Sequence, residues 1–203
     1  MKKIKNILFD LGGVLFPLSV PATIEALIKA ADTTQEQLDK WLKYNDLDKR
    51  YETGECTTKE FLDGFNTVCG SHLDAETFTR CWNAMILGYP EHHTALLESL
   101  QSKGYNLYIL SNINDLHVQY VEKLAQWRDN LFVKKYYSNE IHHAKPNRDC
   151  YEYVINDSKI DPTETLYIDD RADNAAMGAS LGFQTINLPQ NGDLYKELQY
   201  LTI

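Results

Sequence analysis

Residues 7–16 read ILFDLGGVLF: an apolar run meets one carboxylate, Asp10, and then two glycines, Gly12 and Gly13. An aspartate closing a strand that reads as buried delivers a charge to the edge of a sheet. The glycines beyond it let the chain reverse and let backbone N–H groups come close to an anion. Four further short apolar runs read as strands, at 106–110 (NLYIL), 132–137 (FVKKYY), 165–168 (TLYI) and 184–188 (QTINL), with the first strand at 4–9. Helical patterns lie between the later ones. ALLESLQSKG (95–104) closes on a glycine, NRDCYEYVIND (147–157) follows a proline, and ADNAAMGASLGF (172–183) again stops near a glycine. Alternation of strands and helices, with strands apolar on both faces, predicts an α/β fold built on a parallel sheet covered by helices on both sides.

Segment 20–88 breaks that rhythm. It contains no strand pattern and predicts four helices near 20–31, 34–47, 58–69 and 75–87. Thr33 with Glu36, Thr34 with Gln37 and Thr57 with Glu60 have capping-box spacing. Trp41, Leu42, Phe61, Leu62, Phe65, Phe78 and Trp82 recur at helical spacing and form the core of a bundle. The chain therefore divides into a sheet domain, 1–18 with 89–203, and a helical insert, 19–88.

The 203 residues, 43% hydrophobic, suffice for one large core and an inserted unit. The basic N-terminus is interrupted by Asp10 too early for a signal peptide or membrane span. Cys56, Cys69, Cys81 and Cys150 show no CxxC spacing, which fits reduced thiols in a cytoplasmic protein. A net charge of −9 without a basic run argues against nucleic acid or an anionic membrane as the partner. Anions must then be met by a local lysine or a metal.

Asp10, Ser111 and the Asp169–Asp170 pair sit just beyond strand ends, where open α/β sheets bind ligands, and Lys145 lies in a loop before Pro146. Three carboxylates brought together repel one another unless a hard cation such as Mg²⁺ neutralises them. Ser111 and its neighbouring amides offer hydrogen-bond donors, and Lys145 offers a positive charge opposite the cation. Such a set holds a phosphoryl group on all sides, the electrostatic requirement for displacement at phosphorus. His92–His93 and His142–His143 are adjacent pairs, which rarely converge on one metal. Tyr44, Tyr51 and Glu52 come from a stretch of the insert that could face a substrate.

The order FDLGGV (9–14), LSN (110–112), KP (145–146) and IDD (168–170) resembles the haloacid dehalogenase (HAD) superfamily over nearly the whole chain. The insert resembles that family's type I cap, here a four-helix unit on a Rossmann-like core. YETGE (51–55), SNIN (111–114), KPNRDCY (145–151) and DDRADNAAMGASLG (169–182) are similar to the branch containing bacterial α-D-glucose-1-phosphate phosphatase. The resemblance implies an Mg²⁺-dependent phosphatase of a small phosphorylated metabolite such as glucose 1-phosphate, working through an aspartyl-phosphate. Asp10 would be the nucleophile. Lys145 would orient it and neutralise the phosphoryl group. Leu11, Gly12, Ser111 and Asn112 would bind phosphate. Asp10, the Gly12 carbonyl and Asp170 or Asp169 would hold the metal, with Asp173 behind them.

One departure stands out. The second aspartate of the family's DxD motif, which protonates the leaving group, is Gly12 here. General acid–base catalysis contributes roughly 10²–10⁴-fold, so a slower enzyme or a substitute donor is expected. Two alternatives remain: a phosphate-binding module without turnover, and a metal-independent dehalogenase, against which the acidic pair argues. A receiver domain carries similar residues in another order and lacks the insert.

Overall fold

The computed structural model describes residues 2–128 and 130–202. Strand β1 (Asn6–Phe9) is buried throughout and precedes helices α1 (Val20–Ala31), α2 (Gln35–Leu42), α3 (Leu47–Glu52), α4 (Thr58–Cys69) and α5 (Ala75–Trp82). Then follow α6 (Glu91–Ser102), β2 (Asn106–Ser111), α7 (Asp115–Ala125), β3 (Lys134–Tyr137), α8 (Ser138–Ile141), α9 (Arg148–Ser158), β4 (Thr165–Asp169), α10 (Ala172–Ser180), β5 (Gln184–Asn187) and α11 (Leu194–Thr202). The five strands pair in parallel in the order β3-β2-β1-β4-β5, as the apolar runs predict. Ile7 of the central strand lies between Leu107 and Leu166. Successive crossovers leave β1 in opposite directions, so the carboxyl ends of β1, β2 and β4 open a crevice.

Strand alternation distributes the core to two faces. Ile7, Phe9, Ile109 and Ile168 pack with Leu96, Leu97 and Leu100 of α6 and with Leu194 and Leu198 of α11. Leu8, Tyr108, Leu110, Tyr136 and Tyr167 pack on the other face with Cys150, Tyr151 and Val154 of α9.

The insert has its own core, built mainly of rings: Trp41, Tyr51, Phe61, Phe65 and Phe78 are buried, with Trp82 against them. Trp41 contacts four of the other rings at centroid distances of 4.7, 5.0, 6.0 and 5.5 Å. Thr57 and Glu60 form the full capping box at the start of α4. Thr34 caps α2 through the Gln37 N–H, so Thr33 lies one position before the cap. The expected helix 34–47 is broken: Asn45 and Asp46 adopt left-handed φ of 51° and 52°, which these residues tolerate, and the chain re-enters helix as α3. The insert thus has five helices rather than four. The expected helix 75–87 ends at Trp82 and passes through a 3-10 turn. The segments that lead into and out of the insert then meet. Leu18 and Ile86 form an antiparallel bridge, with bonds from Ser19 N to Met85 O (2.8 Å) and from Leu87 N to Pro17 O (3.0 Å).

Candidate active site

Asp10 follows β1, and its N–H donates to Ile168 O of β4 at 2.9 Å, which fixes it at the crevice floor. Lys145 reaches the same point from the loop before α9 and spends its three protons there. Its Nζ lies 2.9 Å from Asp10 Oδ1, 2.7 Å from Asp169 Oδ2 and 2.9 Å from Leu110 O. Burial raises the Asp10 carboxyl to about 6 against the pull of Lys145, and the nearby charge of Asp169 adds to the rise. For Lys145, burial alone would depress the ammonium, but Asp10 and Asp169 outweigh it and hold the group above its ordinary value.

Asp169 is fully buried and accepts from four donors. Lys145 and the Tyr167 hydroxyl meet Oδ2, while the Arg171 N–H and Asn174 Nδ2 meet Oδ1, each at 2.9 Å. Asp170 is half-buried, and no other side chain donates to its carboxylate among the described residues. Burial first and Asp169 second raise its pKa. Oxygens of Asp10, Asp169 and Asp170 lie within 4.8 Å of one another, a donor set of the hard-cation type. Gly13 makes this cluster possible. It has φ of +80°, and a Cβ there would lie 2.4 Å from Asp170 Oδ2. The Gly12 N–H donates to no protein acceptor among the described residues.

Ser111 ends β2 and is buried, and among the described residues its hydroxyl makes only a long 3.5 Å contact to Asn112 O. Asn112 was expected to bind phosphate, but its side chain is committed elsewhere. Its Nδ2 donates to Lys145 O and its Oδ1 accepts from Lys145 N, both at 2.8 Å. Asn112 therefore clamps the loop that carries Lys145, leaving only its main chain for a phosphate. Asp173, expected behind the metal position, is instead exposed and paired with Arg171 at 2.7 Å; Asn174 supports Asp169 in its place.

These groups floor a cavity of about 780 Å³ whose opposite wall belongs to the insert, with Asp48, Lys49, Glu52 and Trp82 lining it. Of the three insert residues singled out in the sequence, Glu52 reaches the cavity. Tyr51 is buried with its hydroxyl on Thr58, and Tyr44 is exposed. The histidine pairs stay out of the carboxylate cluster: His93 Nδ1 meets Leu15 O, His142 Nδ1 meets Thr53 O, and His143 pairs with Asp149. His117 also lines the cavity, a residue the sequence reading passes over. Its Nε2 meets Trp82 O at 3.2 Å, its ring stacks on Trp82, and burial lowers its pKa to about 4. Tyr167 and Asn174 could have been found by position: one lies two residues before Asp169 on the strand, the other five residues after it.

A family model described as haloacid dehalogenase-like hydrolase matches residues 4–182. The chain is 30% identical over 202 residues to D-ribitol-5-phosphate phosphatase of Bacteroides thetaiotaomicron, with 93% of each chain covered. It is 26% identical to a sesquiterpene phosphatase of Aspergillus oryzae, covering 97% of this chain and 96% of that one. A crystal structure of a HAD family enzyme from B. thetaiotaomicron, in complex with magnesium and inorganic phosphate, superposes with a TM-score of 0.88 at 32% identity, covering 96% and 98% of the two chains.

Proposed function

The chain belongs to the haloacid dehalogenase-like hydrolase family, and from that premise we propose that it is an Mg²⁺-dependent phosphatase of small phosphorylated metabolites. The observation that carries this reading is Asp10, held by Lys145 and brought within 4.8 Å of Asp170. Asp10 attacks phosphorus and forms an aspartyl-phosphate, which water then hydrolyses. Lys145 keeps Asp10 ionised and aimed, and offers positive charge to the phosphoryl oxygens. The Gly12 N–H and the Ser111 hydroxyl bind those oxygens. Asp10, the Gly12 carbonyl and Asp170 would hold Mg²⁺, with Asp169 filled by its four donors and supporting from behind. When bound, the ion would offset the negative charge that gathers on the phosphoryl group.

The insert, residues 19–88, acts as a cap over the substrate. Asp48, Lys49, Glu52 and Thr53 of its lining, beside Trp82, Met85 and Ile86, support a polyhydroxylated leaving group, and the relative's substrate, D-ribitol 5-phosphate, is of that class. Glucose 1-phosphate belongs to the same class, and a hemiacetal oxygen leaves more readily than an ordinary alcohol. The four free cysteines support a cytoplasmic location.

The test is phosphate release from a panel of sugar and polyol phosphates, with EDTA and Asp10→Asn controls. Release that needs both Mg²⁺ and Asp10 is expected. No release above the Asp10→Asn background across the panel would leave a phosphate-binding module, and faster turnover of glucose 6-phosphate than of glucose 1-phosphate would end the anomeric preference.

A further inference from the structure

A phosphatase at this site lacks the proton donor that position 12 would supply. Leu18 also occupies the space beside that glycine: a Cβ on Gly12 would lie 2.7 Å from Leu18 Cδ1. We propose that Glu52, at the end of α3 in the insert, is the substitute: it protonates the leaving oxygen in the first step and deprotonates the attacking water in the second. This rests on the phosphatase reading above.

The loop that carries Glu52 is docked on the sheet domain rather than loosely above it. Ser138 Oγ donates to Glu52 O at 2.6 Å and accepts from Ile113 N at 2.9 Å, two residues beyond Ser111. His142 Nδ1 donates to Thr53 O at 2.7 Å. Gly54 has φ of +72°, and a Cβ there would lie 2.1 Å from Asn139 O, so only glycine permits this approach. The YETGE stretch therefore exists to seat the loop, and seating it turns Glu52 into the cavity that holds Asp10.

The Glu52 carboxyl forms no hydrogen bond or ion pair within the protein among the described residues. Burial raises its pKa, and Asp48 adds to this while Arg171 and Lys145 oppose it; these are the charged groups that face it. Several other candidates along the cavity are spent, and Asp48, one turn earlier on α3, is the remaining insert acid without a partner among the described residues. Both ring nitrogens of His117 are engaged, by Trp82 O and Asn114. Asp169 is saturated, and the Thr53 hydroxyl donates to Lys49 O.

The steps balance. In the first, an Asp10 oxygen bonds to phosphorus, the ester P–O bond breaks, and the Glu52 proton goes to the departing alkoxide. In the second, water attacks phosphorus and gives its proton to the Glu52 carboxylate. The Asp10–phosphorus bond then breaks, which releases inorganic phosphate and restores both carboxyl groups.

The experiment compares wild type, Glu52→Gln and Glu52→Asp, each with Mg²⁺, on ribitol 5-phosphate and on p-nitrophenyl phosphate, whose phenolate leaves without a proton. Glu52→Gln is expected to lose roughly 10²–10⁴-fold on the alkyl ester. On the aryl ester it should release a burst of about one nitrophenolate per site before slow turnover, because the phosphoryl-enzyme waits for a base. Glu52→Asp should recover part of the alkyl-ester activity. Equal losses on both esters without a burst, or alkyl-ester turnover within about threefold of wild type, would overturn the assignment. A wild type inert on both esters and across the sugar and polyol phosphate panel overturns the phosphatase reading itself, and this one with it.

Discussion

On the sheet-domain wall of the cavity, Lys145 spends all three protons on Asp10, Asp169 and Leu110 O, and Asp169 accepts from four donors. On the insert wall, the Glu52 carboxyl has no partner among the described residues, Lys49 is exposed and Asp48 is partly so. Among the described residues, buried polar atoms without partners occur in both units, on Thr33, Trp41, Trp82 and Asn83 of the insert and on Asn139 and Asn174 of the sheet domain, and of these residues Trp82 and Asn174 line the cavity. The first wall is a preorganised set of charges, stable only as a set, as transfer of a phosphoryl group requires. The second is backed by ring packing, and its Asp48, Lys49 and Glu52 line the cavity. One wall holds the nucleophile, and the other adds Glu52, the carboxyl proposed to handle the proton.

Lys145→Met should break this contrast most severely. It leaves Asp10 and Asp169 buried without their cation, so urea unfolding should show a loss of about 3–5 kcal/mol, with turnover abolished. A variant that unfolds within about 1 kcal/mol of wild type would mean that the buried charges are compensated elsewhere.

His117 tests the junction between the walls, where it bonds and stacks on Trp82. Burial lowers its pKa from 6.5 to about 4. As pH falls through that window the unfolded chain takes up a proton that the folded chain refuses. Stability is therefore full above the upper value and declines toward the lower one, by up to roughly 3 kcal/mol. His117→Gln removes the titration, and the difference between its acid profile and that of wild type isolates this residue. Parallel profiles would contradict the assignment.

Thr57→Ala sharpens the comparison from the other side. Loss of the capping box at α4 should cost about 1 kcal/mol, with kcat on a small aryl phosphate unchanged, because Thr57 does not line the cavity and the Glu52 loop is seated by Ser138 and His142. A matching fall in kcat would show that the insert's stability and the reaction are not separable.

The sheet-domain wall was largely legible in the sequence. Asp10, Ser111 and Asp170 follow strands whose apolar runs announce them, and Lys145 precedes a proline that marks its loop. What stayed hidden acts across the chain. Asn112 reads as a phosphate ligand, yet it clamps the Lys145 backbone 33 residues away. Asp169 and Asp170 are alike in sequence and are told apart only by the donors around them. Helix α7 mixes His117 with Leu116, Val121 and Ala125 on its buried face. The break between α2 and α3 turns on two left-handed residues that no hydrophobic pattern records.

The most direct test of the account is where the phosphoryl group goes. Enzyme turning over a sugar or polyol phosphate with Mg²⁺ would be quenched in acid, digested and analysed by mass spectrometry. One phosphoryl group is expected on the peptide that contains Asp10, absent in Asp10→Asn. Phosphate released with no label on that peptide, or label on another residue, would contradict it.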